Sequence, residues 1–218
     1  MTEQNTTGTE LIEQEQQAAT PASDNIILNP KTMNQLFKAA QFYSNSNIVP
    51  ESYRGKPNDC FVALELAARM NLSPTTVMQS LYIVKGKPSW AGQMCKAMID
   101  GCGRYRASEY VFIGERGDRS WGCYLQAINK ATGTMVKGTA VTIQMAYDEG
   151  WATKPGSKWV TFPEQMLKYR AAAFFARSEC PSVLMGYQLA EEVADVYGED
   201  EAPVQTVKLS LGGGNSNE

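Results

Sequence analysis

Three stretches of this chain bring cations and aromatic rings within a few residues of one another. Tyr82, Lys85, Lys87 and Trp90 form the first, Trp151, Lys154, Lys158 and Trp159 the second, and Lys168, Arg170 and Arg177 the third, with Phe174 close in sequence. Such sets suit a single-stranded nucleic acid, because cations follow the phosphates while aromatic faces stack on any base, at about 1–3 kcal/mol per base. Each set has a plainer reading beside this one. Tyr82 and Trp90 equally suit core packing next to lysines that only solubilise a turn, and the two loop tryptophans equally suit burial. Arg170 and Arg177 are seven residues apart, so on a helix they stand about 20° apart, whereas Lys168 lies about 160° from Arg170. The two arginines can therefore share a groove that Lys168 does not line. Arg177, close to Phe174 and Pro181, reads either as the partner of a carboxylate such as Glu191 or Glu192 or as a phosphate contact.

Covalent chemistry finds little support in the residue types. The chain has no histidine, so the usual nucleophile–base pairs, the commonest zinc ligand and the near-neutral proton shuttle are missing. Its five cysteines, Cys60, Cys95, Cys102, Cys123 and Cys180, are odd in number and widely spaced, which reads as free thiols used as small apolar residues. No GxxxxGK[ST] phosphate loop occurs, and the glycines at 212–214 precede no helical pattern. The expectation is a binding protein with no enzymatic activity and no cofactor.

The formal charge of -3 hides a division along the chain. Residues 1–28 hold five acids and no base, and residues 199–218 hold four acids and Lys208, which leaves 19 bases against 14 acids in residues 29–198. A basic domain is thus expected over 29–198 between two disordered acidic tails, 1–28 and 199–218, the second rich in glycine. The longest apolar runs, such as Ala171 to Ala176, fall far short of the roughly 20 residues that span a bilayer. The polar, acidic start, Met1 to Gln17, lacks the features of a secretory signal, so the expected location is the cytoplasm, away from membranes.

The elements that would position the three sets are legible from periodicity and punctuation. Met33, Leu36, Phe37 and Ala40 recur at helical spacing; a second helix runs from Cys60 to Met70 with Asn58 as its cap; Ser73-Pro74 opens a short helix to Gln79. Leu81 to Val84 and Ser89-Trp90 read as a hairpin about Lys85-Gly86-Lys87, followed by a helix from Ala91 to Cys102. Tyr105 to Ile113, Arg119 to Ile128 and Thr134 to Ile143 read as three strands of an antiparallel meander. After a polar loop from Trp151 to Trp159, Pro163 opens a long helix to Ser178, Pro181 interrupts it, and a last helix spans Tyr187 to Tyr197. The fold class is α+β, an antiparallel meander packed on long helices with an upstream hairpin.

The run from Trp159 through Pro163, Met166-Leu167, Lys168, Arg170-Ala171, Ala176-Arg177, Pro181 and Gly186 to Glu191-Glu192-Val193 resembles the most characteristic stretch of the RecT/Red beta family of phage single-strand annealing recombinases. Ala63 to Ile99, with Leu72-Ser73-Pro74, Tyr82 and Gly86, is similar to the upstream part of that family. The resemblance implies a Rad52-like core, homo-oligomeric rings or helical filaments, and ATP-independent annealing of complementary DNA strands held in a shared groove. It implies contacts with single-stranded DNA and the annealed duplex, and partnership with a phage exonuclease and the host single-strand binding protein. Lys168, Arg170 and Arg177 fall on basic positions of the motif and become DNA-contact candidates beside Lys85, Lys87, Trp90, Lys154, Lys158 and Trp159. Two departures stand out: Glu164 follows Pro163 where relatives often carry a base, and little chain follows the Glu-Glu-Val helix. Magnesium would assist by screening duplex repulsion, with no protein site evident. A passive single-strand protector of OB type, a five-stranded barrel, is the rival reading.

Overall fold

The computed structural model describes residues 29–84 and 87–197. The two acidic tails and the hairpin tip, including Lys85, lie outside the described residues. Asn29 caps the first helix, α1 (Pro30–Ser44), its side chain accepting from the backbone N–H groups of Lys31 and Thr32. A single 3-10 turn, Glu51–Tyr53, leads to α2 (Pro57–Met70). The cap expected at Asn58 is displaced: Pro57 takes the first helical position, where its missing N–H costs nothing. Asn71 closes α2 in the left-handed region, φ 52°, and α3 (Pro74–Ser80) comes next.

Strands β1 (Leu81–Val84) and β2 (Lys87–Trp90) form the expected antiparallel hairpin, and α4 (Gly92–Gly101) succeeds it. The meander consists of β3 (Tyr105–Ile113), β4 (Gly122–Asn129) and β5 (Met135–Lys137), with β6 (Val141–Thr142) also paired to β4. The single third strand expected over Thr134 to Ile143 is interrupted. Between β5 and β6 the pairing against β4 slips by one residue, from Gln126↔Lys137 to Cys123↔Val141, which is a bulge, and just before it a Cβ on Gly138 would stand 3.1 Å from Phe175 Cβ. Ile143 then opens α5 (Ile143–Asp148), because the Thr142 hydroxyl caps it by accepting from the Met145 N–H at 3.1 Å.

Downstream lie α6 (Lys158–Thr161), the long α7 (Pro163–Glu179), a 3-10 turn (Pro181–Leu184), β7 (Gln188–Leu189) and α8 (Ala190–Tyr197). The last helix starts at Ala190 rather than Tyr187, since Gln188 and Leu189 pair in parallel with Ser89 and Trp90 and complete a three-stranded sheet. The mixed α+β class is thus as expected, and the described strands form two open sheets. Ala171, Ala172, Ala173 and Ala176 are buried along α7, and these small side chains let α4 and β4 approach the helix closely. Leu167 and Ala171 of α7 pack under Cys123, Val141 and Trp159, while Ala172, Phe175 and Ala176 pack with Trp90, Ile99 and Leu125. Among the described residues no helix is long and apolar enough to cross a membrane.

Candidate nucleic-acid interface

Arg170 and Arg177 lie on one face of α7, as their spacing requires, and both turn towards α8. Arg170 is 7% exposed; it donates to Glu192 Oε1 at 3.1 Å and to Asp195, and its guanidinium lies 4.0 Å from the centroid of the Trp151 ring. Arg177 grips the same Glu192 with both terminal nitrogens, its Nη1 at 2.6 Å from Oε1. Asp195 also accepts from the Trp159 indole N–H at 3.0 Å, and Lys154 donates to the backbone carbonyls of Ala194 and Asp195 near the C-terminal end of α8. Burial pushes the Glu192 carboxyl up, but the Arg177 and Arg170 pairing outweighs it and holds the group below its ordinary value. The same bond to Glu192 raises the Arg177 guanidinium above its own.

Four of the nine candidates, Lys154, Trp159, Arg170 and Arg177, therefore belong to a polar knot that fastens α8 to α7. For Arg177 the carboxylate partner is the alternative that the structure takes. Trp90 and Trp159 are corrected to core residues: Trp90 is fully buried with its indole N–H on the Leu184 carbonyl at 3.3 Å, and Trp159 packs 5.4 Å from Trp151. Neither ring offers a free face to a base. Lys87 and Lys158 are exposed, Lys87 on the hairpin and Lys158 at the start of α6.

Lys168 points elsewhere on α7 and leads to a group that periodicity did not single out. Its Nζ lies 5.6 Å from the centroid of Phe112, Phe112 stacks on Trp121 at 5.8 Å and 22°, and Arg116 lies 5.4 Å over Trp121. This forms a column of cation, ring, ring and cation at the end of the meander sheet. Glu164 bridges its two ends, binding Lys168 at 2.8 Å and Arg116 at 3.5 Å, and the Lys168 hydrogen bond holds its carboxyl below the ordinary value. Beside it Arg119 lies 4.4 Å over the Tyr147 ring.

No protein-family model, no curated protein and no solved structure matches the chain.

The column is open to solvent at Phe112 and its cations although Trp121 is buried, whereas in the knot Arg170 and Trp159 are buried and Arg177 is exposed. Phe112 is 38% exposed, Arg116 and Arg119 are solvent-facing, and Phe162, at the N-cap of α7, is exposed as well. The sequence contained a signal for it, since Arg116 and Arg119 flank Gly117-Asp118 just before Trp121, but Arg116 reads as part of the separator between two strands and Arg119 as the first residue of the second. The β3–β4 pairing places Phe112 opposite Cys123, on the helix side of the sheet, and so over Lys168.

Cys60, Cys95, Cys123 and Cys180 are buried in the core and Cys102 packs partly buried against it. Burial pushes Cys95 up to about 12 and Cys123 and Cys180 to about 11, which leaves little nucleophilic thiolate at neutral pH. Among the described residues no group of three or more metal-ligating side chains converges.

Proposed function

We propose that this protein binds single-stranded DNA and anneals it to a complementary strand without nucleotide hydrolysis, as a homo-oligomeric relative of the RecT/Red beta recombinases. The observation that carries the reading is the column of Arg116, Trp121, Phe112 and Lys168. It combines cations for phosphates with a partly exposed aromatic ring, Phe112, beside them, and single strands are bound by cations together with aromatic groups. It also joins the stretch that resembles the family, because Lys168 belongs to that stretch while its neighbour Leu167 is buried in the core.

In this reading Arg116, Arg119 and Lys168 follow the backbone of one strand, and the base edges stay open to test a second. Rings or helical filaments of subunits in a Rad52-like arrangement continue the path, and a nascent duplex is held more firmly than either strand. Arg170, and Arg177 through its pairing with Glu192, act as positioning residues that fix α8 against α7, and phosphate contact falls to Arg116, Arg119 and Lys168. A phage exonuclease and the host single-strand binding protein are the expected partners.

The pairing rate of two complementary oligonucleotides, measured with and without the protein, tests this directly. Acceleration is expected. Binding without acceleration would mean a passive protector, for which a closed five-stranded barrel would be expected in place of two open sheets. Arg116→Ala with Arg119→Ala should weaken single-strand binding and take about 1.4 from the log–log salt slope, about 0.7 for each lost phosphate contact. An unchanged slope in this double variant would move the interface away from the column.

A further inference from the structure

A cleft of about 460 Å³ opens between β1 and α2, lined by Tyr53, Lys56, Val62, Ala63, Tyr82 and Ile83. Its β1 wall is a sheet edge, since β2 and β7 lie on the other side in the order β1-β2-β7. The hydrogen-bond parity of the hairpin shows which backbone groups face the cleft. Ala91 N–H donates to the Ser80 carbonyl at 2.8 Å, so the bonded pairs fall at Ser80, Tyr82 and Val84, and the pairs at Leu81 and Ile83 are the non-bonded ones. Pro88, opposite Ile83, agrees, because it has no N–H to offer. Leu81 and Ile83 therefore turn their backbone N–H and C=O groups outward. Leu81 has partners there: its N–H donates to the Val77 carbonyl and its own carbonyl accepts from the Tyr53 hydroxyl at 3.4 Å. The backbone of Ile83 faces the open edge, and its side chain and that of Val62 across the cleft are each 51% exposed.

Exposed edges usually carry guards such as charges or bulges. β3, the edge of the other sheet, has them: Arg106 and Glu109 flank a register shift, with Ala107 at φ 50°. β1, Leu-Tyr-Ile-Val, has neither. The sequence beyond α8 carries a matching pattern. Val207, Leu209 and Leu211 alternate with Lys208 and Ser210, the period of a strand with one apolar face, and three glycines come after them. Nine residues lie between Tyr197 and Val207, ten steps of chain that reach about 33 Å when extended, and α8 already packs on β1 and β2.

We propose that residues 207–211 add to the outer edge of β1 as a fourth strand of the hairpin sheet, bonding to the Ile83 backbone and seating Val207 and Leu209 in the cleft. This is strand addition within one chain, in which main-chain bonds hold the segment and alternate side chains fill the groove. It also brings Glu199, Asp200 and Glu201 towards the hairpin that carries Lys87.

Hydrogen exchange on the full chain, without DNA, tests the proposal. The Ile83 amide should exchange at least tenfold faster in Val207→Asp/Leu209→Asp than in the wild type, since both changes lie outside the core that holds the hairpin. In the reciprocal variant, Ile83→Pro, the amides of 207–211 should lose protection while those of α7 keep theirs. Equal Ile83 exchange in the wild type and the double aspartate variant would overturn the proposal. Protection that grows with protein concentration would also overturn it, by assigning the groove to the segment of a second copy.

Discussion

Glu191 and Glu192 are neighbours in sequence with opposite electrostatic surroundings. Glu191 accepts from the Gly92 N–H at 3.1 Å through Oε1, while its buried Oε2 has no hydrogen-bond partner among the described residues, and burial raises its carboxyl above the ordinary value. Glu192 meets two arginines and the Leu189 N–H, and is lowered. The two carboxyls therefore respond to pH with opposite signs. A raised folded value means that Glu191 contributes favourably below the value of the unfolded chain, and that this contribution is lost as pH rises through the folded value. A lowered one means that Glu192 contributes above the unfolded value and loses its effect as pH falls through the folded value. Glu191→Gln should therefore stabilise at pH 7, by about 1 kcal/mol or roughly 2–4 °C in Tm, with the gain vanishing near pH 4. Glu192→Gln should destabilise by about 3 kcal/mol at pH 7, since it strands a buried arginine, and its deficit should shrink as pH falls. Chemical denaturation from pH 4 to 8 checks both; parallel pH curves for the two variants would contradict the assignment.

Among the elements, α4 and α8 meet over a glycine. A Cβ on Gly92 would stand 2.6 Å from Tyr169 Cγ and 2.9 Å from Glu191 Oε2, and an aromatic ring wedged in place does not yield cheaply. Gly101, at the other end of the same helix, would meet nothing within 4 Å. Gly92→Ala should thus cost about 1–3 kcal/mol through overpacking, whereas Gly101→Ala should be neutral or stabilise by up to about 1 kcal/mol. Thermal unfolding of the pair separates a packing effect from a general intolerance of α4 to substitution. Loss of similar size in both would show that the close approach at Gly92 is not what matters.

For the whole molecule, the governing quantity is the contrast between the basic residues 29–198 and their acidic flanks. Neutralising Glu199, Asp200 and Glu201 to Gln, Asn and Gln should tighten single-strand binding at about 0.05 M salt and change it little at about 1 M, where the Debye length is roughly 3 Å. An equal gain at both, in an oligonucleotide titration, would remove electrostatic braking as the cause. The hairpin, the meander and the long helix between Pro163 and Pro181 were legible in the sequence, because prolines, caps and alternation act on neighbouring residues. The helical spacing of Arg170 and Arg177 was legible for the same reason, since it depends only on 3.6 residues per turn. Which residues cover a given face depends on segments far away in the chain. Only the tertiary structure decided that Arg170 meets Asp195, that Trp90 is sealed under Leu184, and that β7 joins β2 in parallel. It decided the Arg116–Trp121–Phe112–Lys168 column for the same physical reason: periodicity fixes which way a side chain points, while packing fixes what it finds there.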